Sequence, residues 1–208
     1  MSDTNHLRRL YVPPSLSGTI ALSDNQHHYM RNVMRMQVGD QIRVFNAKDG
    51  EYLASIVAIE KKQTLLKIEK QLRKPQPDRR SVTLIAPILD KDRMRWMMEK
   101  ATELGMSAYQ PVMTERSEIR KLNEDKTRAH MIEAAEQCER LNIPDLLPIK
   151  TLSEILKEVE QPIYVALERE DVRSLNSALK NAAEADCKAL FIGPPGGFSP
   201  QEKQTFLN

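Results

Sequence analysis

The sequence predicts a small all-β unit followed by a larger α/β unit with a mostly parallel sheet. Three observations carry that expectation: short β-rich runs punctuated by turn residues as far as Glu69, a proline- and charge-rich connection at Lys74-Pro-Gln-Pro-Asp-Arg-Arg80, and regular alternation of strand and helix patterns after it. A length of 208 residues, with 40% hydrophobic and 29% charged residues, suits two such units and excludes a chain disordered throughout.

In the first unit, residues 1–74, Arg8 to Val12, Gly18 to Ala21, Gln41 to Phe45, Tyr52 to Ile59 and Thr64 to Glu69 read as strands. Pro13-Pro14, Gly39-Asp40 and Asp49-Gly50 supply the turns between them. Five short strands in so little chain suggest a small barrel, interrupted by one helix from about Asn25 to Met34. In the second unit, residues 75–208, the apolar run Val82 to Leu89 leads into a helix over Asp90 to Leu104, closed by Gly105. There follow a strand at Ala108 to Met113, a helix over Asn123 to Asn142, a strand at Pro162 to Leu167, a helix over Val172 to Ala185 and a strand at Ala189 to Ile192. In such an architecture ligands bind at the carboxyl ends of the strands.

The net charge of +2 favours no partner by itself, but it divides unevenly. Met1 to Lys74 holds 12 basic and 7 acidic residues, +5, whereas Pro75 to Asn208 holds 19 and 22, which is −3. No apolar run approaches the roughly 18 residues of a membrane helix, and the start lacks a signal peptide's hydrophobic core, so a cytoplasmic protein is expected. Cys138 and Cys187 lack metal-ligand spacing and read as buried free thiols.

Chemistry-bearing residues cluster in five places. Ile192-Gly-Pro-Pro-Gly-Gly-Phe-Ser199 follows an apolar strand and precedes a helix start, with Ser199 as cap and Pro200 at the first position. Its glycines let backbone amides approach a ligand, although a tight turn alone would also use them. It is neither a dinucleotide fingerprint nor a P-loop. In the helix after Asp90, Met94, Met97, Met98, Ala101 and Leu104 form the core stripe, leaving Lys91, Arg93, Arg95 and Lys100 for solvent or phosphates. Thr114-Glu-Arg-Ser117 follows another strand, and Glu133, Glu136, Gln137 and Arg140 share one helix face. Finally, Arg8 and Arg9 on the first strand, with Arg31 and Arg35 one helical turn apart, could clamp a phosphodiester backbone while Tyr29 or a histidine stacks on a base. Adjacent His27 and His28 point apart on a helix, so no metal is expected there.

Taken in order, Arg8-Arg-Leu-Tyr, His28-Tyr-Met-Arg-Asn-Val-Met-Arg35, Lys91 to Gly105, Thr114-Glu-Arg-Ser117, Glu133 to Arg140 with Ile143-Pro144, and Ile192 to Ser199 resemble the RsmE family of bacterial small-subunit rRNA uridine N3-methyltransferases along essentially the whole chain. That resemblance implies an N-terminal PUA-like barrel that binds RNA and a C-terminal SPOUT α/β domain with a trefoil knot. It also implies S-adenosyl-L-methionine as cofactor, 16S rRNA of the small ribosomal subunit as partner, and a homodimer. By matching positions it places Gly193, Pro194, Gly196 and Gly197 in the cofactor loop, with Leu167 leading into another loop of the pocket. Arg8, Arg9, Arg31 and Arg35 then fall on the RNA side, with Lys91 and Arg93 also facing RNA. Arg116 or Arg140 would stabilise the uracil anion, and Glu115 is a candidate base.

The chain departs from the family twice. The family's loop reads Gly-Pro-Glu-Gly-Gly, whereas position 195 is Pro195, which lacks both the carboxylate and an N–H donor. Family members also continue past the position of Asn208 with a strand, a Gly-Pro loop and a final helix. These 208 residues are therefore expected to hold an incomplete knot and to bind the cofactor poorly or not at all. The alternative reading is a non-catalytic RNA-binding paralogue with a decayed cofactor site.

Overall fold

The computed structural model describes residues 4, 6–13, 15–76, 81–158, 162–168, 172, 174–180 and 187–207. They form two compact units, one of residues 1–77 with 135–143, the other of residues 78–134 with 144–208. Residues 135–143 thus group with the N-terminal unit although they lie within the second segment of the chain.

The first unit is a five-stranded sheet built from β1 (Arg9–Tyr11), β2 (Thr19–Ala21), β3 (Gln41–Asn46), β4 (Gly50–Ile59) and β5 (Thr64–Arg73), in the order β1-β3-β4-β5-β2. β1 runs parallel to β3, and the other neighbours are antiparallel. The β3–β4 turn is set by side chains: the Asp49 N–H donates to Asn46 Oδ1 at 2.7 Å, and Gly50 takes φ +93°. A Cβ at Gly50 would stand 2.2 Å from the Arg73 carbonyl oxygen, so only glycine fits. Leu10, Val12, Leu22, Met30, Ile42, Val44, Ala54, Ile56 and Leu66 bury together as the core of this unit.

The helix expected from Asn25 to Met34 is shorter and changes pitch. α1 (Asp24–His28) starts in a capping box, Ser23 with Gln26, and gives way to a π-helical turn over Tyr29–Val33. The wider turn plugs Met30, 1% exposed, into the core. Arg35 then takes φ +53°, so the expectation that Arg31 and Arg35 share one helical face does not hold.

The second unit carries a parallel sheet, β10 (Ile163–Ala166), β11 (Cys187–Ile192), β6 (Ser81–Pro87), β7 (Ala108–Met113) and β8 (Asp145–Leu146) in that order, with β9 (Lys150–Thr151) also on β7. α2 (Lys91–Glu103), α3 (Glu124–Gln137), α4 (Leu152–Glu158), α5 (Leu175–Lys180) and α6 (Pro200–Leu207) complete the elements. The short β8, β9 and α4 have no counterpart among the sequence expectations. Of the helix expected over Val172 to Ala185, residues 173 and 181–185 lie outside the described residues.

Asp90 caps α2 by accepting from the Arg93 N–H at 3.1 Å. At the other end Gly105, φ +98°, donates to Thr102 O while Met106 donates to Ala101 O, a Schellman closure. The buried stripe is Met94, Met98 and Thr102, with Met97 and Ala101 only half-buried. Leu104, read as core, is 88% exposed because it caps the helix beyond its last inward-facing turn.

α3 ends at Gln137, short of Asn142, because Glu139 adopts φ +60°. The carbonyls released there are taken within the first unit by arginines. Arg9 donates to Ala135 O, Glu136 O and Arg140 O at 2.8, 3.1 and 3.0 Å, and Arg73 to Glu139 O at 2.8 Å. Cys138 in this stretch is free but half-buried, not fully buried as expected. No helix among the described residues is long and apolar enough to cross a membrane.

Candidate functional site

The loop after β11 is built around Phe198, which is 4% exposed. Phe191, Phe198 and Phe206 pack edge to face with ring centroids 4.9 to 5.6 Å apart, fixing the foot of the loop to β11 and α6. A Cβ on Gly193 would stand 2.8 Å from the Phe198 ring, so glycine is required at the exit of the strand. At the crest, the Gly197 N–H donates to Pro194 O at 2.8 Å, closing a turn with Pro195 and Gly196 in its middle. Among the loop's three glycines only Gly197 takes the left-handed region, φ +70°. Proline at the second position and glycine at the fourth are what a type I turn favours, and the turn itself makes no demand for an N–H at residue 195.

This loop borders a cleft of about 530 Å³ lined also by Arg116, Ala166, Leu167, Glu168 and Lys203. Those residues stand at or beyond the carboxyl ends of β10, β11 and β7, or at the start of α6. The cleft therefore opens where a parallel sheet presents its ligand edge, and it falls in the range of small-molecule sites. Gly193, Pro194, Gly196, Gly197 and Leu167 are all brought together in it.

Beyond β7 the chain turns at Thr114-Glu115-Arg116-Ser117. The Ser117 hydroxyl accepts from the Thr114 N–H at 2.9 Å, and the two buried hydroxyls lie 3.0 Å apart. That leaves Glu115 and Arg116 exposed at the tip. Arg116 Nη1 donates to Gly196 O at 2.8 Å and its stem lies under Gly196, so this arginine forms one wall of the cleft. Glu115 is not among the lining residues.

The remaining predicted residues separate into three groups. Lys91 and Arg93 sit exposed on the first turn of α2, where Arg93 Nε pairs with Asp90 at 3.0 Å. Arg8, Arg31 and Arg35 are exposed on the first unit, and Arg31 Nη1 donates to Glu60 O and Lys61 O, both at 3.2 Å. Arg9 is a correction: it is 8% exposed and faces inward, with Nε on Glu51 at 2.8 Å and its guanidinium 3.9 Å from the Phe45 ring centroid. Alternation along a strand turns neighbours to opposite faces, so Arg8 and Arg9 cannot both face a ligand. His27 is buried with Nδ1 2.8 Å from Thr64 Oγ1, while Tyr29 is 42% exposed. Arg140 and Gln137 belong to the compact unit of residues 1–77 and 135–143, whereas Arg116 belongs to the other.

Three residues at this site are absent from the sequence expectations. Glu168 and Lys203 line the cleft, and Glu202 lies behind it. Glu202 had a legible signal, because Ser199-Pro-Gln-Glu202 has the spacing of a capping box. Glu168 had none beyond its place at the end of a strand.

A parallel sheet with a ligand cleft at its carboxyl edge, joined to a small β unit, agrees with what comparison shows. Residues 76–208 match the family described as an RNA methyltransferase domain, and residues 22–69 match an RNA methyltransferase PUA domain. The class is thus an RNA methyltransferase with a PUA domain. Ribosomal RNA small subunit methyltransferase E of Rickettsia conorii is 30% identical over 197 residues, 93% of this chain and 80% of that protein. Its counterpart in a Synechocystis species is also 30% identical, over 93% of this chain and 66% of that protein. The chain belongs to the ribosomal RNA small subunit methyltransferase E family. A putative methyltransferase from Legionella pneumophila, solved with the bound cofactor SAM, superposes with a TM-score of 0.86 at 28% identity, covering 96% of this chain and 84% of that one. The small subunit methyltransferase E of Neisseria gonorrhoeae, bound to S-adenosyl methionine, gives a TM-score of 0.82 at 28% identity, covering 97% and 86%.

Proposed function

We propose that the protein methylates N3 of a uridine in 16S rRNA of the small ribosomal subunit, using S-adenosyl-L-methionine. The observation that carries this reading is the cleft of about 530 Å³ between the Gly193–Ser199 loop, Leu167 and Arg116. Its residues suit the cofactor: a strand exit where Gly193 keeps the backbone clear of a Cβ, an apolar floor at Leu167 and Phe198, and a charged rim at Arg116, Glu168 and Lys203. When bound, the cofactor supplies an electrophilic methyl group on a sulfonium, so the chain's own work is binding, alignment and exclusion of water.

Uracil N3 carries a weakly acidic proton on its pairing edge, so the base must be unpaired or extruded to be reached. In this reading Arg116 stabilises the N3 anion with donors beyond the one held by Gly196 O, Arg140 is the alternative cation, and Glu115 is the candidate acceptor of the N3 proton. Arg8, Arg31, Arg35, Lys91 and Arg93 would meet phosphates, with Tyr29 offering a face for stacking. A homodimer, a knotted SPOUT domain and a cytoplasmic location complete the reading. The dimer is supported by apolar surface on α2, where Trp96 and Leu104 are 66% and 88% exposed. Against the alternative of a decayed cofactor site stands the loop itself, since Pro195 occupies a turn position that favours proline and requires no N–H.

The test incubates the protein with methyl-labelled S-adenosyl-L-methionine and small subunits from cells lacking the native modification, then maps the product by mass spectrometry of nuclease fragments. The expected product is 3-methyluridine at one position of 16S rRNA. Label in another base, or cofactor binding with no transfer to any rRNA, would overturn the proposal.

A further inference from the structure

We infer that Glu202 is a positioning residue: from behind the cleft it couples the Thr114–Ser117 turn to the Gly193–Ser199 loop, so that the loop's position sets that of Arg116. The inference rests on the methyltransferase reading of this cleft. In an ordinary capping box the third-position carboxylate reaches back only to the cap's own N–H. Glu202 does this, accepting from the Ser199 N–H at 2.9 Å through Oε2, while its N–H donates to Ser199 Oγ at 3.3 Å. Its other oxygen does more. Oε1 accepts from the Glu115 N–H at 2.9 Å, 87 residues away along the chain. One carboxylate thus holds the foot of the glycine loop and the tip of the neighbouring turn by two charge-assisted bonds.

The next residue of the turn ties the same loop at its crest, through Arg116 Nη1 to Gly196 O at 2.8 Å. Glu115 and Arg116, adjacent in sequence, therefore grip the foot and the crest of one loop. Ser199, at the foot, is 1% exposed, so water is a poor substitute for the lost acceptor there. A ligand that settles the crest moves the Gly196 carbonyl, and the turn can follow as a body because Glu202 holds its Glu115 N–H. Glu202 does not itself line the cleft, so its effect on the reaction passes through Arg116.

Two variants separate coupling from mere capping. Glu202→Gln replaces one acceptor oxygen with a donor and sets it against a backbone N–H, whereas Ser199→Ala removes only the Glu202 N–H to Ser199 Oγ bond and leaves both carboxylate bonds in place. With circular dichroism confirming that both fold, Glu202→Gln is expected to lower kcat by about tenfold while cofactor affinity, read by calorimetry, falls only about threefold. Ser199 is buried below the loop and does not line the cleft, so Ser199→Ala is expected to lower Tm and leave kcat within about twofold of the parent. Amide hydrogen exchange supplies a readout independent of turnover. In the parent, adding S-adenosyl-L-methionine should slow exchange in both segments 193–199 and 114–117; in Glu202→Gln it should slow 193–199 alone. Equal kcat in the two variants, or ligand-induced protection of 114–117 that survives Glu202→Gln, overturns the coupling. If the parent protein shows neither binding nor transfer, the methyltransferase reading fails instead. Exchange without ligand then decides whether the tie exists, since Glu202→Gln must speed the Glu115 amide and Ser199→Ala must not.

Discussion

Arg9 and Glu51 form a shielded ion pair, Nε to Oε1 at 2.8 Å, with side chains 2% and 1% exposed. Arg43 and Arg73 approach the same carboxylate at 3.6 and 3.3 Å, so its charge is surrounded by cations. Arg9 also caps the end of α3 through three carbonyls. Removing it leaves a buried carboxylate short of its nearest partner and three carbonyls without their donor. Arg9→Met is expected to cost about 3 kcal/mol in urea unfolding, whereas Arg8→Ala, on the exposed side, should stay within about 0.5 kcal/mol. Equal stability of the two variants would show that the Arg9 network contributes nothing net.

This pair marks where sequence reading stops. The longer strands, the helix beginning near Asp90 and the glycine stop at Gly105 were legible because each depends on local chemistry. The direction of Arg9 was not, since an arginine on an apolar strand looks the same whether its partner is solvent phosphate or a glutamate 42 residues away. The same limit applies at the cleft. Gly193 to Ser199 announces a loop, but Glu202 joining Ser199 to Glu115 is a tertiary fact, as is Glu139 turning left-handed where helix periodicity would continue. The π-helical turn at Tyr29–Val33 was hidden for a related reason, because packing of Met30 overrides the regular period.

Glu139 supplies a pH dependence. The hydrogen bond from Arg43 Nη2, 3.0 Å from Oε1, holds the Glu139 carboxyl below the usual carboxylate range. A depressed folded-state value means that the pair stabilises above the unfolded value of about 4.5 and that this contribution is lost as pH falls through the folded one. The side chain is 51% exposed, so the contribution should not exceed about 1 kcal/mol. Glu139→Gln should therefore unfold more easily than the parent at about pH 7 and match it near pH 3 in denaturant titrations. A difference that persists undiminished in acid would assign the effect to the left-handed backbone instead.

Gly193 and Gly197 are favoured for different reasons, and substitution should tell them apart. At Gly193 a methyl group meets the Phe198 ring at 2.8 Å, and that ring is locked between Phe191 and Phe206. Gly193→Ala should cost about 1–3 kcal/mol of stability and at least about tenfold in cofactor affinity, because the ring must shift into the cleft's floor. At Gly197 no atom stands within 4 Å of an added Cβ, and only φ +70° resists it. Gly197→Ala should cost about 1 kcal/mol with little loss of space for a ligand. Melting curves and calorimetry on both variants give the comparison; identical affinity losses would refute the steric argument.

Arg116 holds the crest of the glycine loop and lines the cleft, and the proposed function makes it the cation at the N3 anion. Arg116→Ala should slow methyl transfer by at least about tenfold under single turnover. Arg140→Ala is the matching test of the alternative cation. If neither substitution reaches tenfold, the anion at N3 is stabilised by another group.

Arg35 is a strained residue on an exposed surface, and the proposed function gives it a phosphate to meet. Its φ of +53° disfavours every side chain but glycine, at about 1–2 kcal/mol for an ordinary L-residue. Glycine would relieve that strain but add freedom to the unfolded chain, which returns part of the gain. Arg35→Gly should therefore stabilise the protein by about 0.5–1 kcal/mol. If the guanidinium meets a phosphate, the same change should weaken rRNA binding and reduce the slope of log affinity against log salt by about one. Thermal melts and binding at several salt concentrations measure the two effects separately. A stabilised variant with unchanged affinity and slope would remove Arg35 from the RNA surface and leave its left-handed backbone as a feature of the turn alone.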